Sequence, residues 1–148
     1  MSKFLYFGLF LTKSSKQILE KYLTEDENVS NWCKNHKVVK GYLEHCTLFY
    51  NSNLNPQTKF DYETLNKLCE KKDDFILLRI VEIGCSDKAM AFKVEILNSF
   101  VTCQNKNPHI TIFTFDDGKP FDSNKIENWI PVERKMIVTT TLRKVMSN

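Results

Sequence analysis

His45-Cys46-Thr47-Leu48-Phe49-Tyr50 and His109-Ile110-Thr111-Ile112-Phe113-Thr114 read alike: a histidine, any residue, a threonine, then apolar or aromatic residues. Each stretch begins a segment with strand character. Residues i and i+2 of a strand face one side. His45 therefore projects with Thr47, and His109 with Thr111, while Leu48 and Ile112 point the other way, toward packing. The chain has only three histidines, and two of them meet a threonine in this way. The third, His36, has no such partner, lies in a polar segment and reads as a surface residue.

The surroundings supply the rest of a fold. Residues 4–11 are an aromatic-rich apolar run, too short for a buried helix, and read as a central strand. Ser14 reads as an N-cap with Gln17 closing a capping box. Ile18, Leu19, Tyr22 and Leu23 follow at helical spacing up to about Thr24. Residues 51–56 are turn-rich, and Asp61 is placed to cap a helix that carries Tyr62, Leu65, Leu68 and Cys69 on one face. Residues 75–84 and 89–97 form a hairpin about the Ser86-Asp87-Lys88 turn. A helical turn is expected at Asp122-Ser123-Asn124, and a last strand over 137–145. Six or seven strands and two main helices, without a regular βαβ period, predict an α+β fold with mainly antiparallel sheet.

Composition narrows the function classes. At 148 residues, 42% apolar and 26% charged, the chain has the size and material of one globular domain over 1–148. A net charge of +3 suits a small anionic ligand and is too slight for a long nucleic-acid track. Five cysteines without a C-x-x-C read as reduced thiols, not as a disulfide frame. Cys33 and His36 have metal-ligand spacing, but no second pair follows, so no metal or other cofactor is expected. No segment reaches the length of a membrane span. The apolar run after Lys3 leads into Thr12-Lys13-Ser14 without a small-residue cleavage site, so a strand is expected there and not a signal peptide.

The paired motif fits one chemistry. Cleaving a phosphodiester needs a base to take a proton and an acid to protonate the leaving oxygen. Histidine serves as either near neutral pH. Threonine hydroxyls can donate to the non-bridging phosphate oxygens, where charge develops. With these residues in place, the chain resembles the 2H phosphoesterase (LigT-like) superfamily, whose signature is a duplicated H-x-[TS]-apolar motif. The resemblance covers nearly the whole chain, although only the two motifs are specific. It implies a two-lobed fold with outer helices, in which a histidine strand from each lobe lines a central groove. It also implies that His45 and His109 are the acid–base pair and that Thr47 and Thr111 bind phosphate, without saying which histidine is the base.

The compact chain, rich in Lys, Asn and Phe, is read as a small viral-type member in the cytoplasm, that of a host cell if viral. The expected substrate is a nucleotide second messenger, either a cyclic dinucleotide or a 2′-5′ oligoadenylate. Its hydrolysis would counter host antiviral signalling. The alternative is opening of a 2′,3′-cyclic phosphate at an RNA end, which a loosely similar tail over 118–129 favours. A non-catalytic nucleotide-binding module is the third class. Tyr6 and Trp129 are the base-stacking candidates, with Tyr50 and Phe115 behind them. Lys13, Lys40, Lys119 and Arg143 are further candidates for phosphate charge, and Glu44 and Glu133 for a base edge. A monomer is the default.

Overall fold

The computed structural model describes residues 3–50, 59–71 and 74–147. Its strands are β1 (Phe4–Leu11), β2 (Val38–Gly41), β3 (His45–Tyr50), β4 (Ile76–Cys85), β5 (Ala89–Ile96), β6 (His109–Phe115) and β7 (Trp129–Met146). Its helices are α1 (Lys13–Glu25), α2 (Glu27–Asn35) and α3 (Lys59–Cys69), with a 3-10 turn at Pro120–Lys125. The strands form one sheet in the order β2-β6-β3-β1-β7-β4-β5, and a β5–β6 pairing closes the circuit. Every pairing is antiparallel.

The circuit has two arcs. One is β3-β1 with the end of β7, and the other is β6-β5-β4 with the start of β7. The long strand β7 belongs to both. On the opposite side the arcs meet where Cys46 of β3 pairs with Ile110 of β6. This is the two-lobed, mainly antiparallel α+β architecture expected, with the two sheets joined into one closed circuit. Phe7, Leu48, Phe49, Leu78, Phe92 and Ile110 fill its interior. Each fully buried side chain of this size contributes about 1.5–3 kcal/mol over its exposed state.

Helix α1 starts earlier than its sequence suggests. Its N-cap is Thr12, which accepts from the Ser15 amide at 3.4 Å. The Ser14–Gln17 box is not used, because Thr12 and Ser15 are tied to β7. Thr12 Oγ1 lies 2.7 Å from Thr139 Oγ1, and Ser15 Oγ accepts from the Thr139 amide at 2.8 Å. Helix α2 was not expected in so polar a stretch. The buried Asp26 begins it, accepting from the Val29 amide at 3.0 Å and from the Tyr22 hydroxyl at 2.8 Å. His36, read as a surface residue, is half-buried and stacks on Phe115 at 4.9 Å.

Helix α3 packs through the face expected, with Leu65 fully buried and Tyr62, Leu68 and Cys69 against the core. The 51–56 turn and the side chain of Asp61 lie outside the described residues. Strand β7 begins at Trp129 and not at 137, because 129–131 pair with 82–84 of β4.

Candidate active site

The same irregularity recurs in both histidine strands. Along β3, Phe49 pairs with Phe7 and Thr47 with Gly8, so Leu48 is left over. Along β6, Phe113 pairs with Met90 and Thr111 with Ala91, so Ile112 is left over. Each extra residue directly follows the motif threonine, and each is a β-bulge of one residue. The bulge in β3 lets Leu48 and Phe49 both enter the core. It thereby returns Tyr50 to the face that carries His45 and Thr47.

The two motifs meet at the seam between the arcs. An antiparallel register through Cys46↔Ile110 sets His45 opposite Thr111 and Thr47 opposite His109. Each histidine thus faces the threonine of the other motif. All four line one cavity of about 280 Å³, together with Tyr6, Tyr42, Glu44, Tyr50, Asn105, Pro120, Phe121 and Asn124. A larger cavity, about 610 Å³, contains neither histidine.

His45 lies against two aromatic rings, Phe10 at 4.8 Å and Tyr6 at 5.3 Å, both nearly parallel to it. Its Nδ1 is buried without a hydrogen-bond partner among the described residues. Burial lowers its pKa. Glu44 opposes that shift and His109 adds to it. His109 is held differently. Its Nδ1 lies 2.9 Å from the Asn107 carbonyl, which can only accept, so Nδ1 carries the proton and Nε2 is the free nitrogen. Burial lowers the His109 pKa too, and the Asn107 carbonyl partly restores it. Burial, then Tyr50 and Glu44, raises the pKa of Tyr6, so its phenol stays protonated at neutral pH.

The threonines also differ. Thr111 Oγ1 is 2.8 Å from Ser123 Oγ and 3.5 Å from the Pro120 carbonyl. The Thr47 hydroxyl has no protein partner among the described residues. The Thr47 carbonyl accepts from Asn105 Nδ2 at 3.4 Å and from the Cys103 thiol at 3.5 Å. These contacts tie the segment before β6 to β3.

The structure therefore brings Tyr6 and Tyr50 to the motif residues, and it does not bring Trp129 or Phe115 there. Phe115 is fully buried in the core. Trp129 is separated from Thr111 by Ala91 and Gly84 in one row across the sheet. It covers Gly84, where a Cβ would meet its ring at 2.5 Å. Its Nε1 donates to the Ile126 carbonyl at 3.0 Å, and Lys93 Nζ stands 4.7 Å from the ring. Of the charged candidates only Glu44 lines the cavity. Asn105, Phe121, Ser123 and Asn124 were not singled out from sequence. Only Ser123 and Asn124 had a local signal, as the start of a helical turn.

Comparison with known proteins agrees with this geometry. The family model described as fungal tRNA ligase phosphodiesterase domain matches residues 3–145. The crystal structure of a fungal RNA kinase aligns with a TM-score of 0.64 at 18% identity, over 95% of this chain and 45% of that one. At that identity the likeness concerns the fold, and this chain spans less than half of that structure's length. No curated protein matches the chain. With the match spanning nearly all of its length, the chain belongs to the fungal tRNA ligase phosphodiesterase domain family, and so to the 2H-type hydrolases of phosphodiester bonds.

Proposed function

We propose that the domain opens a 2′,3′-cyclic phosphate at an RNA end, with His45 and His109 as the acid–base pair and Thr47 and Thr111 as phosphate donors. The observation that carries this reading is the meeting of the two motifs at one seam, each histidine opposite the other's threonine. A phosphate lying between them is reached by one imidazole from each lobe.

The hydrolysis runs in one displacement. A neutral imidazole takes a proton from water as the water oxygen bonds to phosphorus. The bond from phosphorus to one ribose oxygen breaks, and the imidazolium gives that oxygen its proton. The products are a phosphomonoester and a free hydroxyl. His109 is better suited to begin protonated, because the Asn107 carbonyl supports its imidazolium. His45, with Nδ1 unpartnered, is better suited to begin neutral as the base. Donors fixed in advance at the non-bridging oxygens stabilise the developing charge without reorganising.

The cavity's modest volume favours one terminal nucleotide over a dinucleotide. Tyr50 and Phe121, 45% and 64% exposed at its rim, offer faces on which a base can stack. The expectation of a messenger substrate rested on chain size and composition, whereas the family description concerns tRNA ligation. The test is a cleavage panel of RNA ending in 2′,3′-cyclic phosphate, a cyclic dinucleotide and 2′-5′ oligoadenylate. Cleavage of the RNA end supports the proposal. Cleavage of a messenger alone would return the domain to defence signalling, and cleavage of none would leave a binding module.

A further inference from the structure

One row of the sheet leads from the motif residue Thr47 to the last strand, β7. Thr47 pairs laterally with Gly8, and Gly8 with Arg143. Residues paired across adjacent strands share a face, so Thr47 and Arg143 project on the same side with a glycine between them. Two strand spacings put them about 10 Å apart. Gly8 lets the rings of Phe10 and Tyr6 close over that position. A Cβ there would stand 3.1 Å from Phe10, 3.3 Å from Tyr6 and 3.5 Å from His45.

Arg143 differs from the other arginines. Arg79 is paired with Glu95 and Arg134 with Glu25, each at 3.2 Å. Arg143 has no carboxylate partner among the described residues. Its guanidinium lies over Phe10 at 5.3 Å, and Phe10 in turn stacks on His45. The cation is therefore one ring away from the proposed base.

Arg143 also lines the cavity of about 610 Å³. The strand layout creates that space. Strand β4 begins at Ile76, opposite Thr140, while β7 runs on to Met146 beside β1 alone. The lining includes Lys71, Lys144 and Asn98, with Asp74 as its one acid among the described residues. Phe75 is also there, 59% exposed. Cations with an exposed aromatic ring are what single-stranded nucleic acid meets in a protein groove: charge for the backbone and a π-face for a base.

We infer that the RNA chain leading to the reacting phosphate passes over the Tyr6 and Phe10 rings that cover Gly8, has a backbone phosphate held by Arg143, and stacks a base on Phe75. This rests on the RNA-end reading above and adds a second subsite to it. The domain then distinguishes a polymer end from a free cyclic nucleotide.

The test compares uridine 2′,3′-cyclic monophosphate with a short oligoribonucleotide ending in the same cyclic phosphate. Wild-type protein is expected to show a higher kcat/KM on the oligonucleotide. Arg143→Gln and Phe75→Ala should each reduce that preference about tenfold, as for loss of one phosphate contact or one stacked base. Arg143→Gln should also flatten the salt dependence on the oligonucleotide, by about 0.7 in the log–log slope. Equal kcat/KM on both substrates, or variants that slow both alike, would overturn the second subsite and leave the RNA-end reading intact. Cleavage of neither substrate would overturn both.

Discussion

Ser123 Oγ lies 2.8 Å from Thr111 Oγ1, and both hydroxyls are buried. Thr111 has one proton to give. If Ser123 donates to Thr111, that proton is free for a phosphate oxygen. In that arrangement Ser123 acts as a positioning residue for the Thr111 hydroxyl, which its removal tests. Ser123→Ala is expected to lower kcat about tenfold with little change in KM. The lost hydrogen bond costs about 1 kcal/mol of stability. Paired kinetics and urea midpoints check this, since a purely structural role would move only the midpoint.

Removal of the threonine hydroxyls should be graded. Thr47→Val and Thr111→Val keep the shape and remove one donor each, with losses of about ten- to a thousandfold in kcat. Thr111→Val should also lower stability, because it leaves Ser123 buried without its partner. Thr47→Val should not, because the Thr47 hydroxyl has no partner to strand among the described residues. Thermal melts alongside turnover separate the two.

The pH profile follows from the two imidazoles. Burial pushes both below the ordinary histidine value of about 6.5. The bell in kcat/KM, which reports the free protein, should peak on the acid side of that value. Below the peak both imidazoles are protonated and the base is lost. Above it both are neutral and the acid is lost. Stability has its own sign. A lowered folded-state pKa means that the unfolded chain binds more protons near pH 6, so stability falls as pH drops below about 6.5. His45→Ala should lose less stability than wild type between about pH 7 and 5. Melts across that range test it.

Trp129 and Phe121 should respond oppositely. Trp129→Ala removes the cover of Gly84 and the platform under Lys93, so it should lower the melting temperature and leave KM near wild type. Large-to-small changes of this kind cost about 3–5 kcal/mol when fully buried, and a half-buried ring costs less. Phe121→Ala, at an exposed rim position, should raise KM severalfold with little effect on melting.

The motif residues were legible because strand geometry alone places i and i+2 on one face. The antiparallel character of the fold was legible in the alternation of 109–115 and in the hairpin about Ser86–Lys88. The remainder of the site depends on contacts distant in sequence. Tyr50 joins the cavity through a bulge that exists only because β3 pairs with β1. Ser123 matters only because the turn at 120–125 folds over Thr111. Helix α2 was hidden because Asp26, in a run of polar residues, is buried by Tyr22. Trp129 shows the converse. Its aromatic ring invited a role in stacking, but two residues without bulk, Ala91 and Gly84, separate it from the motif and make Gly84 its packing partner.

The most direct test of the two-histidine account is single-turnover cleavage of RNA ending in 2′,3′-cyclic phosphate by wild type, His45→Ala and His109→Ala, with EDTA present. The account predicts that wild type cleaves and that each variant is slower by about a hundredfold to ten-thousandfold. Near-wild-type cleavage by either folded variant would contradict it.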